Sequence, residues 1–376
     1  MHAQLPTQER RTQADAPSSS LSIVNPLEFL GWDAQIAKNP SASFFHRASW
    51  ARVLAETYGH RPTYFCSLSE GRITGTLPVM EVASPLTGRR GVSLPFSDFC
   101  PVLTDADGES RQLFQAAVEF GRSQKWQYLE LRPASAADAL AFEPDGERGS
   151  RAEQDDSSTG FYTHVIDLRG DEGAILAQMD DPMRRGIRKA DKAGLKIEFS
   201  DSLEAIHTYY RLHAFTRKRH GLPPQPFRFF ENIARFVLAT REGFVAIAKL
   251  GSEPVAAMVC FHHGEAAIYK FGASNMNFQN LRPNNLLFYE VLKHYSRAGF
   301  ARLNLGRTSL ANEGLRKFKL SLGAREERLG YKRFDFRSNS FVPVIDRAET
   351  WANHLFRLLP LPLLQMAGRL LYPHLS

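Results

Sequence analysis

The chain has 376 residues, 43% hydrophobic, 11% aromatic and 23% charged; this composition excludes wholesale disorder and supplies enough apolar material for two cores rather than one. Its three cysteines, Cys66, Cys100 and Cys260, form no Cys-x-x-Cys pair and no even framework, which excludes a disulfide scaffold, a zinc ribbon and a thioredoxin-like motif and points to a reducing compartment. No apolar run reaches the roughly 18 residues of a spanning helix, and the first twenty residues lack a signal-peptide core, so a cytoplasmic protein is expected, at most peripheral to a membrane.

The net charge of +7 is unevenly shared. Residues 1–163 hold 15 Lys+Arg against 20 Asp+Glu, net −5, and residues 164–376 hold 32 against 20, net +12. A basic second half attracts polyanions, whether nucleic acid, a nucleotide-linked precursor or an anionic membrane.

In chain order, residues 1–20 are polar and expected to be disordered. TYFCSLSEGRITGTLPVMEV predicts a hairpin turning at Glu70-Gly71, and GVSLPF a third strand. LFQAAVEFGRSQKWQYLEL (113–131) then changes from helical to twofold periodicity, as an amphipathic helix feeding a strand does. Residues 134–160, rich in Ala, Gly, Ser and acid, predict a mobile loop. The pattern then repeats. Asp181-Pro182 opens a densely basic helix that Gly194 closes. GFVAIAKLGSEPVAAMVCFHH predicts a second hairpin, turning at Gly251-Ser252-Glu253, and AAIYKFG another third strand. LFYEVLKHYSRAGFARLNL (287–305) lies over 113–131 with a constant offset of 174, matching Leu113 to Leu287, Phe114 to Phe288, Leu129 to Leu303 and Leu131 to Leu305. Two similar α/β units follow, 21–163 and 164–340, with an apolar tail at 341–376. The tail carries Arg357 and Arg369 and is broken by Pro360 and Pro362; it suits either a membrane interface or packing on its own domain.

The pieces LPVMEVASPLTGRRGVSLPFSDF, MRRGIRKADKAGLKIEF, RKRHGLPPQPFRFF, IYKFGASN, LRPNNLLFYEVL and LNLGRTSLANEGLRKFKLSLGA together resemble the FemAB-related, GNAT-like acyltransferases over roughly residues 40–335. The resemblance implies two tandem GNAT-like domains with mixed sheets. It also implies transfer of an acyl or aminoacyl group to an amine, or less readily a hydroxyl, of a nucleotide- or lipid-linked saccharide or peptidoglycan precursor. The donor is then aminoacyl-tRNA or acyl-CoA, with no resident cofactor. A glycine-rich pyrophosphate loop of the ordinary GNAT kind is missing, since Arg72–Leu77 falls within an expected strand and 277–285 is polar without glycine, which disfavours CoA. The alternatives are a CoA-dependent N-acyltransferase of exopolysaccharide synthesis and a non-catalytic anion- or RNA-binding protein of the same fold.

Acyl transfer needs a positioned nucleophile and fixed donors for the oxyanion. Arg307, at the C-terminal end of the strand ARLNL, is the first candidate, a guanidinium suited to phosphate or carboxylate. Lys270 interrupts an apolar strand, where alternation puts Tyr269 and Phe271 together on the other face. Arg316 and Lys319, three apart on an expected helix, are a second pair of anion ligands. Tyr269, Ser274, Asn284 and Asn285 are expected to help position substrate. Glu313 and, from the first unit, Asp98 are the carboxylates able to take part in proton transfer, Asp98 at the groove between units. Arg185 and Arg188, with Lys189 and Lys192, form a stripe suited to a phosphate backbone. No metal site, serine-hydrolase elbow or P-loop is present in the sequence.

Overall fold

Two hairpins organise the two halves of the computed structural model, which describes residues 20–106, 108–135, 138, 142, 160–344 and 351–375. In the first, Glu70 and Gly71 both have positive φ, 51° and 74°, a turn whose twist matches that of the strands it joins, Tyr64–Ser69 and Arg72–Leu77. In the second, Leu250 pairs with Glu253, so the turn is Gly251-Ser252 alone, between Gly243–Leu250 and Glu253–His263. The duplicated segments form matching helix–strand units. Helix Glu109–Ser123 leads to strand Tyr128–Leu131, and helix Pro283–Arg297 to strand Arg302–Ser309. Each strand returns parallel to the third strand of its own unit, Gly91 opposite Leu129 and Ala267 opposite Leu303. The parallel pairing thus recurs in both units, with Leu129 and Leu303 at the offset of the sequence pattern and their partners two residues off it.

The copies differ at Pro78. Lacking an N–H, proline interrupts a ladder, and the strands on either side, Arg72–Leu77 and Met80–Ser84, belong to different sheets. The first half therefore has a four-stranded sheet (Ser20–Val24, Tyr64–Ser69, Arg72–Leu77, Leu103–Thr104) and a six-stranded sheet (Ser340–Val342, Lys332–Asp335, Tyr128–Leu131, Gly88–Val92, Met80–Ser84, Arg61–Pro62). The second half has one seven-stranded sheet in the order Leu195–Ser200, Gly243–Leu250, Glu253–His263, Ala266–Ser274, Arg302–Ser309, Phe161–Asp167, Arg325–Leu329.

Chain order and sheet membership do not coincide. The boundary expected at 163/164 falls inside Phe161–Asp167, which is an interior strand of the second sheet. Conversely Lys332–Asp335 crosses back to pair with Tyr128–Leu131 in the first half, Phe334 opposite Leu129. The halves also share a core, in which Trp50, Tyr64 and Phe44 cluster with Tyr209, Phe229 and Phe261. Burial of aromatic side chains on this scale makes the contact between the halves part of the fold.

Helix Asp181–Lys192 opens at Asp181-Pro182 as the sequence suggests, and its N-cap is Asp180, whose carboxylate accepts from the Met183 N–H at 2.7 Å. The tail forms two helices, Trp351–Leu358 and Leu361–Leu371, packed on their own chain. Leu364 and Tyr372 are buried, and Gly368 lies against the Pro224 carbonyl with no room for a side chain. Most of the expected disordered N-terminus and of the acidic loop 134–160 lies outside the described residues.

Candidate functional site

Strands Ala266–Ser274 and Arg302–Ser309 pair at only three positions, Ala266 to Ile268 against Arg302 to Asn304, and then separate. A bulge marks the separation on each strand. Val259 faces Phe271 while Cys260 faces Tyr269, so Lys270 is an extra residue without a partner. Across the other ladder, Asn304 faces Val165 and Arg307 faces Thr163, two residues, Leu305 and Gly306, against the single His164. The bulge at Lys270 corrects the expected alternation. Tyr269 packs on Phe288 in the core of the second sheet, whereas Phe271 packs on Phe229 and Phe230 in the shared core. Lys270 turns to the same side as Phe271, its Nζ 5.5 Å from the Phe45 ring and 5.3 Å from the Phe271 ring.

Asp98 enters this divergence from the first half. Its carboxylate accepts from Lys270 Nζ at 2.8 Å and from the Arg307 backbone N–H at 3.4 Å. Its backbone carbonyl accepts from the Tyr331 hydroxyl at 2.7 Å, and that hydroxyl also accepts from the Arg307 guanidinium at 3.1 Å. Arg307 lies over the rings of Phe161 and Tyr331, 4.5 Å and 5.4 Å from their centroids, yet remains exposed to solvent. Gly306 has φ 70°, and a Cβ there would stand 3.2 Å from the Tyr269 carbonyl and 3.6 Å from the Asp98 carboxylate. The bulge thus requires glycine for its conformation, and a Cβ would also crowd the Tyr269 carbonyl. Lys319, fully buried on helix Glu313–Ser321, donates to the carbonyls of Gly306 at 2.8 Å and Arg307 at 3.3 Å. An ammonium has three N–H donors; the third has no partner among the described residues.

Three cations therefore surround one carboxylate. Burial pushes the Asp98 carboxyl up, but Lys270, Arg307 and Lys319 outweigh it and hold the group below its ordinary value. Burial depresses Lys270 despite the opposing pull of Asp98. Burial likewise lowers Lys319 to about 8, with Asp98 opposing and Lys270 reinforcing the shift. Such a cluster carries excess positive charge in a poorly solvated place, where a developing oxyanion is strongly stabilised.

The other expected site residues are placed elsewhere. Glu313 is exposed and pairs with Lys317 at 3.4 Å. Arg316 diverges from Lys319, pairing through its Nε with Glu326 at 2.7 Å and lying over the Tyr162 ring. Asn285 donates to Met183 Sδ at 2.9 Å beneath Gly186, Asn284 is half-buried beside it, and Ser274 bonds Thr216 and Gln279. One residue that the sequence reading missed is His164, opposite the Gly306 bulge. Its Nε2 bonds Glu326 at 2.9 Å, while Nδ1 is buried without a partner among the described residues. Burial, then the Lys319 charge, lowers its pKa. No motif flags it. A cavity of about 310 Å³ lies nearby between the halves, lined by Phe44, Phe45, Phe99, Ile268, Arg302 and Asn304. Phe45 is common to it and to the surroundings of Lys270.

Residues 180–333 match the family model of an acetyltransferase (GNAT) domain. The second half thus contains a GNAT-type domain. The crystal structure of FemX superposes on 85% of this chain and 98% of its own, with 15% identity and a TM-score of 0.65. A tandem GNAT protein from the clavulanic acid biosynthesis pathway covers 85% of this chain and 98% of its own at 13% identity and a TM-score of 0.52. The DUF2156 C-terminal domain assigned to a lysylphosphatidylglycerol synthetase of Agrobacterium fabrum covers 82% and 91% at 14% identity and a TM-score of 0.51. No curated protein matches the chain in sequence.

Beside the diverging strands, the GNAT domain has a basic outer surface. Helix Pro283–Arg297 is preceded by a short 3-10 turn, Met276–Leu281, and by Arg282 at φ 60°, with no glycine between Asn275 and Pro283. Helix Asp181–Lys192 packs on it through Met183, Gly186 and Asn285. Its outer face carries Arg185, Arg188, Lys189 and Lys192, all exposed and without an ion pair among the described residues. All four lie within two turns at spacings of three and four and form one continuous band of charge. The cysteines offer no alternative nucleophile. Each is buried, and burial raises the thiols, Cys66 to about 12 and Cys100 further despite the opposing pull of Ser93 and Arg132.

Proposed function

We propose that the chain is a FemX-like acyl- or aminoacyltransferase that modifies an amine, or less readily a hydroxyl, on a cell-envelope saccharide or peptidoglycan precursor. The observation that carries this reading is the group Asp98, Lys270, Arg307 and Lys319 at the point where the GNAT strands diverge. In the proposed step the acceptor nitrogen bonds to the acyl carbonyl carbon and the carbonyl π electrons move to oxygen. The unengaged N–H of Lys319 stabilises that oxyanion, with the solvent-facing Arg307 guanidinium holding an anionic part of donor or acceptor. Collapse of the intermediate expels the donor's ester oxygen or thiolate, which takes up the proton released by the amine. Lys270 and Asp98 position the other two by fixing the Arg307 backbone and neutralising part of the cluster's charge.

The exposed cations on helix Asp181–Lys192 favour a charged tRNA as donor, because a row of unpaired arginines and lysines meets successive phosphates. The N-terminus of helix Pro283–Arg297, with Arg282 before it, supports the second reading, an acyl-CoA donor held by its phosphates. The test offers charged tRNA and acyl-CoA to the full chain with muramyl-peptide and lipid-linked acceptors, and follows the labelled acyl group. Transfer from tRNA alone supports the first reading and transfer from CoA alone the second. Failure of both donors with every acceptor removes the enzymatic reading.

A further inference from the structure

The two C-terminal helices bury one face and leave the other open. Leu364, Gly368 and Tyr372 pack inward, against helix Leu203–Arg219 and the Pro223-Pro224 loop. Outward stand Leu355 and Leu358 on the first helix, 54% and 80% exposed, and Leu363, Met366 and Leu370 on the second, 46%, 54% and 64% exposed. Their spacings of three and four place the outward residues of each helix along one side. The apolar surface continues past the chain's last helical turn. His374 bonds Ser84, whose turn presents Leu86 at 71% exposure beside Leu375 at 46%. Scattered single leucines on a surface need no explanation, but outward apolar residues aligned along two successive helices do.

The charge around the patch indicates its occupant. Segment 351–376 has no carboxylate side chain. Arg357 and Arg369 are exposed on the two helices, with no ion pair among the described residues, and Arg219 is exposed at the end of the helix on which they pack. A second copy of the chain would bring these arginines against each other, whereas anionic lipid headgroups would neutralise them. None of the described helices is long and apolar enough to cross a bilayer. We infer that the outer face of Trp351–Leu371 lies in the plane of an anionic membrane, its leucines in the acyl boundary and its arginines among the headgroups. This would bring the site to lipid-linked molecules, but the inference does not depend on which donor or acceptor the enzyme uses.

The test is flotation of the full chain with vesicles of phosphatidylcholine alone or with about one third phosphatidylglycerol, whose negative surface potential attracts basic segments. The wild-type chain is expected to float with the anionic vesicles and to be released as salt rises. Leu358→Asp/Met366→Asp should lower partitioning at least tenfold, roughly the effect of withdrawing two large side chains from the interface. Arg357→Gln/Arg369→Gln should weaken it several-fold and flatten its salt dependence. Circular dichroism and light scattering establish that each variant is folded and of the same oligomeric state. Failure of the folded wild-type chain to float, or flotation unchanged by the leucine and methionine substitutions, overturns the inference. So does a wild-type dimer that these substitutions dissociate, because that assigns the face to a second copy. The transfer assay is run with detergent-free soluble acceptors, so loss of vesicle binding and loss of the acyltransferase reading are separate results.

Discussion

Replacing Asp98 by Asn removes the only carboxylate in contact with the cluster among the described residues while keeping its size and the oxygen that accepts from the Arg307 N–H. Lys270 then faces an amide instead of a carboxylate at 2.8 Å, with its side chain only 8% exposed. Breaking a buried pair from one side leaves the partner charge uncompensated and costs about 3–5 kcal/mol. At about 2–4 °C per kcal/mol for a large domain, melting should fall by roughly 6–20 °C. Lys270→Met alone leaves Asp98 with only Arg307 and Lys319 for compensation and should cost a similar amount. The double variant Asp98→Asn/Lys270→Met removes both charges and should be more stable than either single variant, with a coupling of about 2 kcal/mol or more between the sites. Denaturant titration of the four proteins measures this directly. Additivity within about 0.5 kcal/mol would refute the view that this pair holds the diverging strands together.

Lys319, lowered to about 8 by burial, gives two opposite pH trends. As a cationic oxyanion donor it should lose function above pH 8, so the rate falls there, and Lys319→Arg should remove that limb if the variant folds. Stability should move the other way. The unfolded lysine, near 10.5, binds more protons between about pH 8 and 10.5, so folding is favoured as pH rises through that window, and Lys319→Met should flatten the trend. A rate unchanged from pH 7 to 9.5 contradicts the proposed role. Gly306→Ala should destabilise by about 1–2 kcal/mol, because alanine at φ 70° is strained and its Cβ meets Tyr269 and Asp98; an equally stable variant, measured by denaturation, would show that the bulge adapts. If the helix Asp181–Lys192 binds tRNA, replacing Arg185, Arg188, Lys189 and Lys192 by Gln should reduce the salt slope of RNA binding by roughly 0.7–0.9 for each phosphate no longer neutralised. A filter-binding slope unchanged by all four substitutions would remove that surface from the donor reading.

Local pattern carried much of the fold. Leu129 and Leu303 occupy equivalent parallel pairings because helix-then-strand periodicity is a short-range property, and the Glu70-Gly71 turn followed from the conformations its residues tolerate. Sheet membership was harder to read. Lys332–Asp335 joins the first half and Phe161–Asp167 the second through long-range pairings that no local pattern encodes. Asp98, Lys270, Arg307 and Lys319 were individually conspicuous as charges in apolar or turn contexts, yet their meeting depends on two bulges. One of these reversed the expected facing of Tyr269 and Phe271. Arg316 and Lys319 share a helix but not an environment, since tertiary packing takes one to Glu326 and the other beneath Gly306. His164 lay in an ordinary strand sequence, and only its position opposite the bulge distinguishes it.

Acyl transfer governed by the Arg307 and Lys319 cluster is tested most directly by single-turnover kinetics. A labelled acyl group is offered on charged tRNA and on acyl-CoA, and its transfer is compared between the wild-type chain and Arg307→Ala. Loss of the guanidinium that holds an anionic part of donor or acceptor removes a charge-assisted contact of about 1.5–3 kcal/mol and should slow transfer from sub-saturating donor by roughly 10- to 100-fold without unfolding the protein. Transfer by Arg307→Ala at the wild-type rate, or no transfer by the wild-type chain from either donor, would contradict that role.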